Sequence, residues 1–243
     1  MREPTVIAPG GGEVVGDSPD RRVEILSDHD ALHATRARFG PRREGADLHV
    51  HRHHTDVFYV LEGELTVRLG PEGDRAVVPA GTHARVPPLV VHGFANETEQ
   101  DLHYLNFHVP GVGFADYLRA LRDGRTLSYD QEPPPPDGGR PATEAVIGGA
   151  KPLADGTVML AELEALAIAE VRRDPGDPPQ TDRHPGRGVS FYVLAGELVL
   201  TAGDRDLPGG AGSWVQVPPG VEHTLAFPGS EPVRYLALHA PAP

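Results

Sequence analysis

The chain of 243 residues carries 35 acidic and 22 basic side chains. Its formal charge of −13 argues against nucleic acid and anionic membrane surfaces as partners, because both bind basic faces. The absence of cysteine excludes disulfides and thiolate metal sites.

The first residues, MREPTVIAPGGGEVVG, lack a basic start followed by a long apolar run, so they do not predict a signal peptide. No stretch approaches the length of a transmembrane helix. We therefore expect a cytoplasmic protein. Its 39% hydrophobic residues suffice for a core, and its 29 glycines and 26 prolines favour many short strands joined by tight turns.

Short strand candidates follow one another along the first half of the chain. They begin at residues 22–26 and 32–39 and continue with the hydrophobic pair FYVLEGELTVRL at residues 58–69. A turn at residues 70–74 and further short segments lead to a closing strand at residues 102–108. Strands at hairpin spacing are typical of a barrel or sandwich.

A helix and a connector separate the two halves. Apolar residues at helical spacing from Phe114 to Leu121 predict a short amphipathic helix, which Gly124 is placed to end. Residues 133–141 are rich in proline and cannot join a sheet ladder, so they predict an extended connector.

The second half repeats the first. FYVLEGEL at residues 58–65 recurs as FYVLAGEL at residues 191–198, and VPPLVVH at residues 86–92 recurs as VPPGVEH at residues 217–223. The offsets of 133 and 131 residues differ by an amount that a loop absorbs. Trp214, the only tryptophan, precedes the second of these segments and is predicted to pack in a core.

A histidine-rich stretch, LHVHRHHTDVFYVLEGEL, begins at Leu48. Alternate residues of an extended chain share a face, so His49 and His51 are predicted to point together, with Asp56 after a short turn. His92 follows downstream. Imidazole and carboxylate at this spacing predict a site for one divalent transition metal, and these donors suit Ni, Mn, Fe, Co, Cu or Zn alike.

These motifs resemble those of the cupin superfamily. The first cupin motif, His-x-His followed by Glu and Gly, is matched by His49, His51, Asp56 and Gly63. The second, Pro-x-Gly-x-x-His-x-x-x-Asn, is matched by Pro87, Leu89, His92 and Asn96. Two positions depart from the pattern. Asp56 replaces Glu and shortens the reach of the carboxylate by one methylene, and Leu89 replaces Gly in a turn.

The resemblance implies an all-β fold of two tandem cupin barrels (double-stranded β-helix, or jelly-roll) with a short linking helix. We expect an N-terminal cupin with the metal site and closing helix at residues 1–125, a connector at 126–143 and a C-terminal cupin at 144–243. The two copies are predicted to pack against each other or against a second chain in a homodimer, because sheet edges and apolar faces need cover.

The second copy has a degraded site. At the same offset Asp182 replaces His49 and Val189 replaces Asp56, while His184 and His223 remain. Valine cannot coordinate a metal, so the C-terminal cupin is predicted to be mainly structural.

By resemblance to quercetin-dioxygenase-like bicupins, the metal ligands are His49, His51, His92 and Asp56, with Asp56 also acting as the catalytic base if burial raises its pKa. The groups expected to support the metal are His53, His54 and Asn96. Barrel filling or substrate binding is expected of Phe58, Val60, Phe94 and Phe107.

The resemblance favours an enzyme, a metal-dependent dioxygenase that oxidises a flavonol or another enol-bearing aromatic small molecule with O₂. Two alternatives stay open: a non-redox cyclase or isomerase acting on a polyketide- or sugar-like carbonyl compound, and a cupin that binds a small molecule without catalysis.

Overall fold

The computed structural model describes residues 3–153, 155–163 and 166–241. The chain divides into two compact units, one of residues 13–149 and the other of residues from 1–12 and 150–243. Regular structure in both is almost entirely β-strand, which confirms the all-β prediction. No helix among the described residues is long and apolar enough to cross a membrane.

The elements, in chain order, are β1 (Thr5–Ile7), β2 (Glu13–Ser18), β3 (Arg21–His29), β4 (Leu32–Phe39), β5 (Thr55–Glu62), β6 (Glu64–Leu69), β7 (Asp74–Pro79), β8 (His83–Val86), β9 (His92–Ala95), β10 (Leu102–Val109), α1 (Phe114–Arg122), a 3₁₀ turn (Ala142–Glu144), β11 (Val146–Ile147), β12 (Lys151–Pro152), β13 (Thr157–Glu162), β14 (Ala167–Arg173), β15 (Gln180–Asp182), β16 (Arg187–Ala195), β17 (Glu197–Ala202), β18 (Arg205–Gly210), β19 (Trp214–Val217), β20 (His223–Ala226) and β21 (Val233–Pro241).

Two sheets form the N-terminal unit, of residues 13–149. Seven strands run in the order β11-β8-β5-β10-β4-β3-β2, and three run in the order β7-β6-β9. The apolar alternation of FYVLEGELTVRL turns Phe58, Val60, Leu65 and Val67 into one core shared by both sheets. Each of these four side chains is fully buried.

The turn between β5 and β6 requires glycine. Gly63 has a φ of +79°, and a Cβ there would lie 2.5 Å from the carbonyl oxygen of Asp101. Its repeat partner Gly196 has a φ of +73°, and a Cβ would lie 2.7 Å from the carbonyl oxygen of Pro232. The repeated Gly-Glu pair therefore marks the same tight hairpin in both units.

The predicted helix is present as α1. Its buried residues Ala115 and Leu118 join the core of the N-terminal unit. After its last residue, the N–H of Gly124 bonds to the carbonyl of Leu121 at 3.1 Å, with Gly124 at a φ of +66°. Glycine thus ends the helix in the left-handed conformation.

The C-terminal unit repeats this plan. Its sheets have the orders β1-β19-β16-β21-β14-β13-β12 and β15-β20-β17-β18. Trp214 on β19 is fully buried, as its predicted core role requires. The units differ from the predicted ranges in that residues 1–12 belong with the C-terminal half, because β1 pairs with β19.

The segment predicted as a connector, residues 126–143, belongs to the N-terminal unit. Val50 and Glu132 exchange backbone hydrogen bonds of 2.9 and 3.0 Å. The N–H of Arg140 also donates to the carbonyl of Leu89 at 2.8 Å. The segment therefore lies against the histidine-rich loop and the second motif instead of merely spanning a gap.

Candidate metal centre

The three histidines of the two motifs come together inside the N-terminal unit. His49 and His51 lie before β5, joined to the fold by isolated bridges and not by a strand of their own, while His92 begins β9. His49 and His92 exchange two backbone hydrogen bonds of 2.9 Å. One ring nitrogen of each lies within 4.8 Å of the others, and all three side chains are buried.

Each ring is oriented by a backbone carbonyl at its Nδ1. The acceptors are the carbonyl oxygens of Asp47 for His49 (2.6 Å), Asp130 for His51, and Val90 for His92 (3.0 Å). A carbonyl oxygen only accepts, so Nδ1 carries the hydrogen in each neutral ring. The three Nε2 atoms therefore present lone pairs.

These lone pairs fit a metal ion. The Nε2 atoms of His49 and His51 are 3.1 Å apart, and with the hydrogens on Nδ1 neither can donate to the other, so a cation bound between them would stabilise the pair. Nε2 of His92 is buried without a hydrogen-bond partner among the described residues. Burial, with the neighbouring His92 and His51, lowers the pKa of His49 to about 3, which keeps it neutral and able to coordinate. Two donors bound to one ion at about 2.1 Å lie roughly 3.4 Å apart in a tetrahedral site.

Asp56 lies beside this triad at the start of β5. Its Oδ2 is 3.6 Å from Nε2 of His51 and 3.5 Å from Nε2 of His92. Its Oδ1 accepts from Nδ2 of Asn106 at 2.5 Å and lies 3.1 Å from Nε2 of His108. Asp56 belongs neither to the group of His49, His51 and His92 nor to that of His51, His54 and Asp130, in each of which three donors lie within 4.8 Å of one another.

The condition attached to Asp56 as a base is not met. Burial acts to raise its pKa, but His108, whose Nε2 lies 3.1 Å from Oδ1, holds the pKa well below the usual value. Burial alone does not decide the pKa of this carboxyl, because the interaction with His108 opposes it. Asp56 is therefore an ionised hydrogen-bond acceptor in this environment.

A chain of hydrogen bonds leads from Asp56 to the segment at residues 126–143. His108 contacts the Tyr129 hydroxyl at 2.5 Å through Nδ1, and that hydroxyl lies 3.0 Å from Nε2 of His54. Nδ1 of His54 lies 2.8 Å from Oδ2 of Asp130, which also accepts from the backbone N–H of His53 at 2.8 Å. Tyr129 and Asp130 thus fix the loop that carries His49 and His51.

Four participants were missed in the sequence: Asn106, His108, Tyr129 and Asp130. His108 and Asn106 lie on one face of the predicted closing strand, and strand periodicity alone does not decide which face points inward. The structure places that face inward, against the cavity. Tyr129 and Asp130 carry no motif, and they meet the histidine loop across more than 70 positions.

Of the three residues predicted to support the metal, only His54 lies against the histidine triad. His54 is buried against His51, with ring centroids 3.9 Å apart, whereas the His53 side chain is exposed. Asn96 lies away from the triad, where its amide donates to the carbonyls of Gly40 (2.8 Å) and Gln100 (2.7 Å). The role predicted for Asn96 needs correction, since its hydrogen bonds close a loop.

A cavity of about 400 Å³ opens onto His49, His51 and Asp56. Of the side chains predicted to fill the barrel or bind substrate, Phe94 lines the cavity, while Phe58 and Val60 lie in the core. Phe107 lies on the opposite face of β10 from the cavity-lining Asn106, so its assignment to substrate binding is corrected. The volume is in the range of small-molecule sites.

The corresponding cluster in the C-terminal unit is looser. Oδ2 of Asp182 lies 3.1 Å from Nε2 of His184, but the Asp182 side chain is 58% exposed. The rings of His184 and His223 are 6.0 Å apart, and His239, which the sequence did not single out, lies 4.9 Å from His184. Among the described residues of this unit, no three donors lie within 4.8 Å of one another.

Comparison with known proteins agrees with this geometry. A cupin-domain family model matches residues 35–108 and 169–239. Quercetin 2,3-dioxygenase of Bacillus subtilis (strain 168) is 30% identical over 125 residues, which are 49% of this chain and 35% of that protein. The matched stretch is thus about a third of that curated relative's length.

Three solved structures share the fold over nearly the whole chain. Protein Ylba from E. coli has a TM-score of 0.72 at 15% identity and covers 98% of this chain and 90% of its own. Bacillus subtilis oxalate decarboxylase, studied for its Mn(II) centres, has a TM-score of 0.68 at 16% identity, with coverages of 100% and 78%.

AerE from Microcystis aeruginosa has a TM-score of 0.66 at 13% identity, with coverages of 97% of this chain and 98% of its own. At these identities the likeness shows the fold alone. Because the family model matches in both halves and each half is built on the same strand plan, the chain belongs to the cupin family and carries two cupin domains.

Proposed function

We propose that the N-terminal cupin is a metal-dependent dioxygenase that oxidises a flavonol or another enol-bearing aromatic small molecule with O₂. The observation that carries this proposal is the set of three buried imidazoles whose Nε2 lone pairs face one another at the edge of an aromatic-lined cavity. The partial similarity to quercetin 2,3-dioxygenase supports the same chemistry.

The proposed ligands are His49, His51 and His92, with Asp56 beside them. A divalent transition metal bound there supplies Lewis acidity and, for a redox metal, an electron path to O₂. The chain's own residues bind and orient. Asn106 and His108 occupy Oδ1 of Asp56, so Oδ2 is the oxygen left to accept the hydrogen of a substrate hydroxyl.

The test uses protein purified without a histidine tag, with elemental analysis and oxygen uptake on quercetin and related enols. We expect His51→Ala and His92→Ala to lose bound metal and oxygen uptake together. His53→Ala is the matched control, because its exposed ring lies in the same loop outside the triad. If both alanine variants keep their full metal content, the assignment of the metal site is wrong. If no compound of the panel gives metal-dependent oxygen uptake, the proposed dioxygenase activity is wrong.

A second candidate is a non-redox cyclase or isomerase acting on a carbonyl compound. The observation that favours it is the Asp56 carboxylate, which Asn106 and His108 hold beside the triad and whose Oδ2 can hydrogen-bond a substrate hydroxyl without a redox step. Turnover that persists without oxygen in the Zn²⁺-loaded protein would select this candidate. The homodimer and the cytoplasmic location stay predictions.

A further inference from the structure

One arginine on the cavity wall has no counterion among the described residues. Glu44 pairs with Arg68 at 2.9 Å, and Arg43 pairs with Asp20 at 2.6 Å. Arg21 makes no ion pair with any described residue. The other charged lining residues are Asp56, which is surrounded by imidazoles, and Asp47, which is exposed to solvent.

Arg21 is directed into the barrel by the register of β3. It lies opposite Phe39 of β4 and shares its face with the core residue Val23. Its guanidinium lies beside Gly16, where a Cβ would be 3.5 Å from Nη1. The adjacent Arg22 pairs instead with Asp17 and Glu24 at 2.8 and 2.7 Å.

The second arginine on the same wall, Arg43, is already engaged, because its Nη1 bonds to Asp20 at 2.6 Å. Arg21 is therefore the guanidinium on this wall that is left for a ligand. A ligand that offers it an acceptor gains a charge-assisted hydrogen bond. A carboxylate matches the planar fork of a guanidinium better than other acceptors do.

Five aromatic side chains also line the cavity: Phe39, Phe94, Tyr104, Phe114 and Tyr117. Phe39 stacks on Phe94 with ring centroids 6.0 Å apart, and Tyr104 meets Phe39 edge to face at 5.4 Å. Such a wall suits a flat, conjugated body.

We propose that the substrate is a planar aromatic carboxylate, whose carboxylate binds Arg21 while its enol or hydroxyl end faces the histidine triad. The inference rests on the proposed function for the reacting end of the molecule. The anion subsite itself rests on Arg21 and on the aromatic side chains of the wall.

The experiment is calorimetric titration with cinnamate and with its neutral counterpart, cinnamamide. It uses the full-length protein as purified and again after chelation, because a carboxylate also binds metal. We expect wild type to bind cinnamate at least about tenfold more tightly than cinnamamide in both states, since a charged hydrogen bond contributes on the order of 1.5–3 kcal/mol. Arg21→Gln abolishes this preference, and Arg21→Lys restores part of it.

Arg22→Gln is the control, since it removes the adjacent guanidinium from the outer face and leaves the preference unchanged. Any one of four results overturns the proposal. The wild type binds the acid and the amide equally, it binds neither, its preference for the acid disappears on chelation, or Arg21→Gln retains that preference. Oxygen uptake is a separate measurement. If the protein prefers the anion but shows no oxygen uptake, the proposed dioxygenase activity is wrong and the proposed anion subsite is still supported.

Discussion

At the scale of single residues, the buried imidazoles of the N-terminal unit differ in what their ring nitrogens contact. His49, His51 and His92 each have Nδ1 engaged by a carbonyl and Nε2 turned to a common point. His33 is equally buried, yet both of its ring nitrogens lack hydrogen-bond partners among the described residues. It packs edge to face against Phe114, with centroids 5.0 Å apart. His33 therefore serves to pack the core, and it lowers the stability of the folded protein at acidic pH.

Replacing His33 with leucine is expected to make the protein less sensitive to acid. Burial, with the nearby His108, lowers the pKa of His33 to about 2 from a reference near 6.5. The unfolded chain therefore binds the extra proton first, and stability is lost as the pH falls below the unfolded value. Between pH 7 and pH 5 this loss is about 2 kcal/mol.

The measurement compares urea midpoints of wild type and His33→Leu at both pH values. The gap between the two proteins should shift in favour of the variant as the pH falls. Equal shifts in both proteins would show that His33 is not the group that senses acid.

At the scale of elements, local patterns predicted what local physics determines. Apolar spacing predicted α1, and the repeated FYVLxGEL segments predicted both hairpins, because Gly63 and Gly196 meet the same steric demand. The role of residues 129–132 could not be predicted in this way. Tyr129 reaches His54 across 75 positions, and proline-rich composition indicates only that a segment is not a sheet strand.

The hydrogen bonds from residues 129–132 to the histidine-rich loop are expected to strengthen metal binding. Tyr129→Phe removes the hydroxyl that joins His54 to His108, and loss of such a support typically weakens metal binding roughly 10–100-fold. The measurement is a chelator competition that gives the metal dissociation constant.

Tyr117→Phe is the matched control for this prediction. Its ring stacks on Tyr129 at 5.2 Å, but its hydroxyl makes no hydrogen bond to a described residue. The same dissociation constant in both variants would contradict the proposed support.

At the scale of the whole molecule, the first strand of the chain belongs to the unit that is otherwise built from the second half of the chain. The strand β1 belongs to the C-terminal unit, where Val6 pairs with Val215 and packs against that unit's core. The family resemblance predicted two barrels, but it did not predict that β1 belongs to the C-terminal one. Thr5–Ile7 is too short for periodicity to indicate its pairing partner.

Val6→Asp is expected to destabilise the C-terminal unit by about 1–3 kcal/mol, because it places a charge against an apolar core. Trp214 is the only tryptophan and lies in that unit, so its fluorescence during urea unfolding reports the effect. Thr5→Asp is the control, since Thr5 is exposed on the same strand. An unchanged tryptophan midpoint in Val6→Asp would show that β1 contributes little there.

The placement of β1 also sets a delay during protein synthesis. Its partner, Trp214–Val217, is made about 200 residues later, which at roughly 5 to 20 residues per second is on the order of 10 to 40 seconds. For that time the apolar Val6 and Ile7 have no edge to join. The prolines at Pro4 and Pro9 frame this short segment and limit its pairing with other nascent chains.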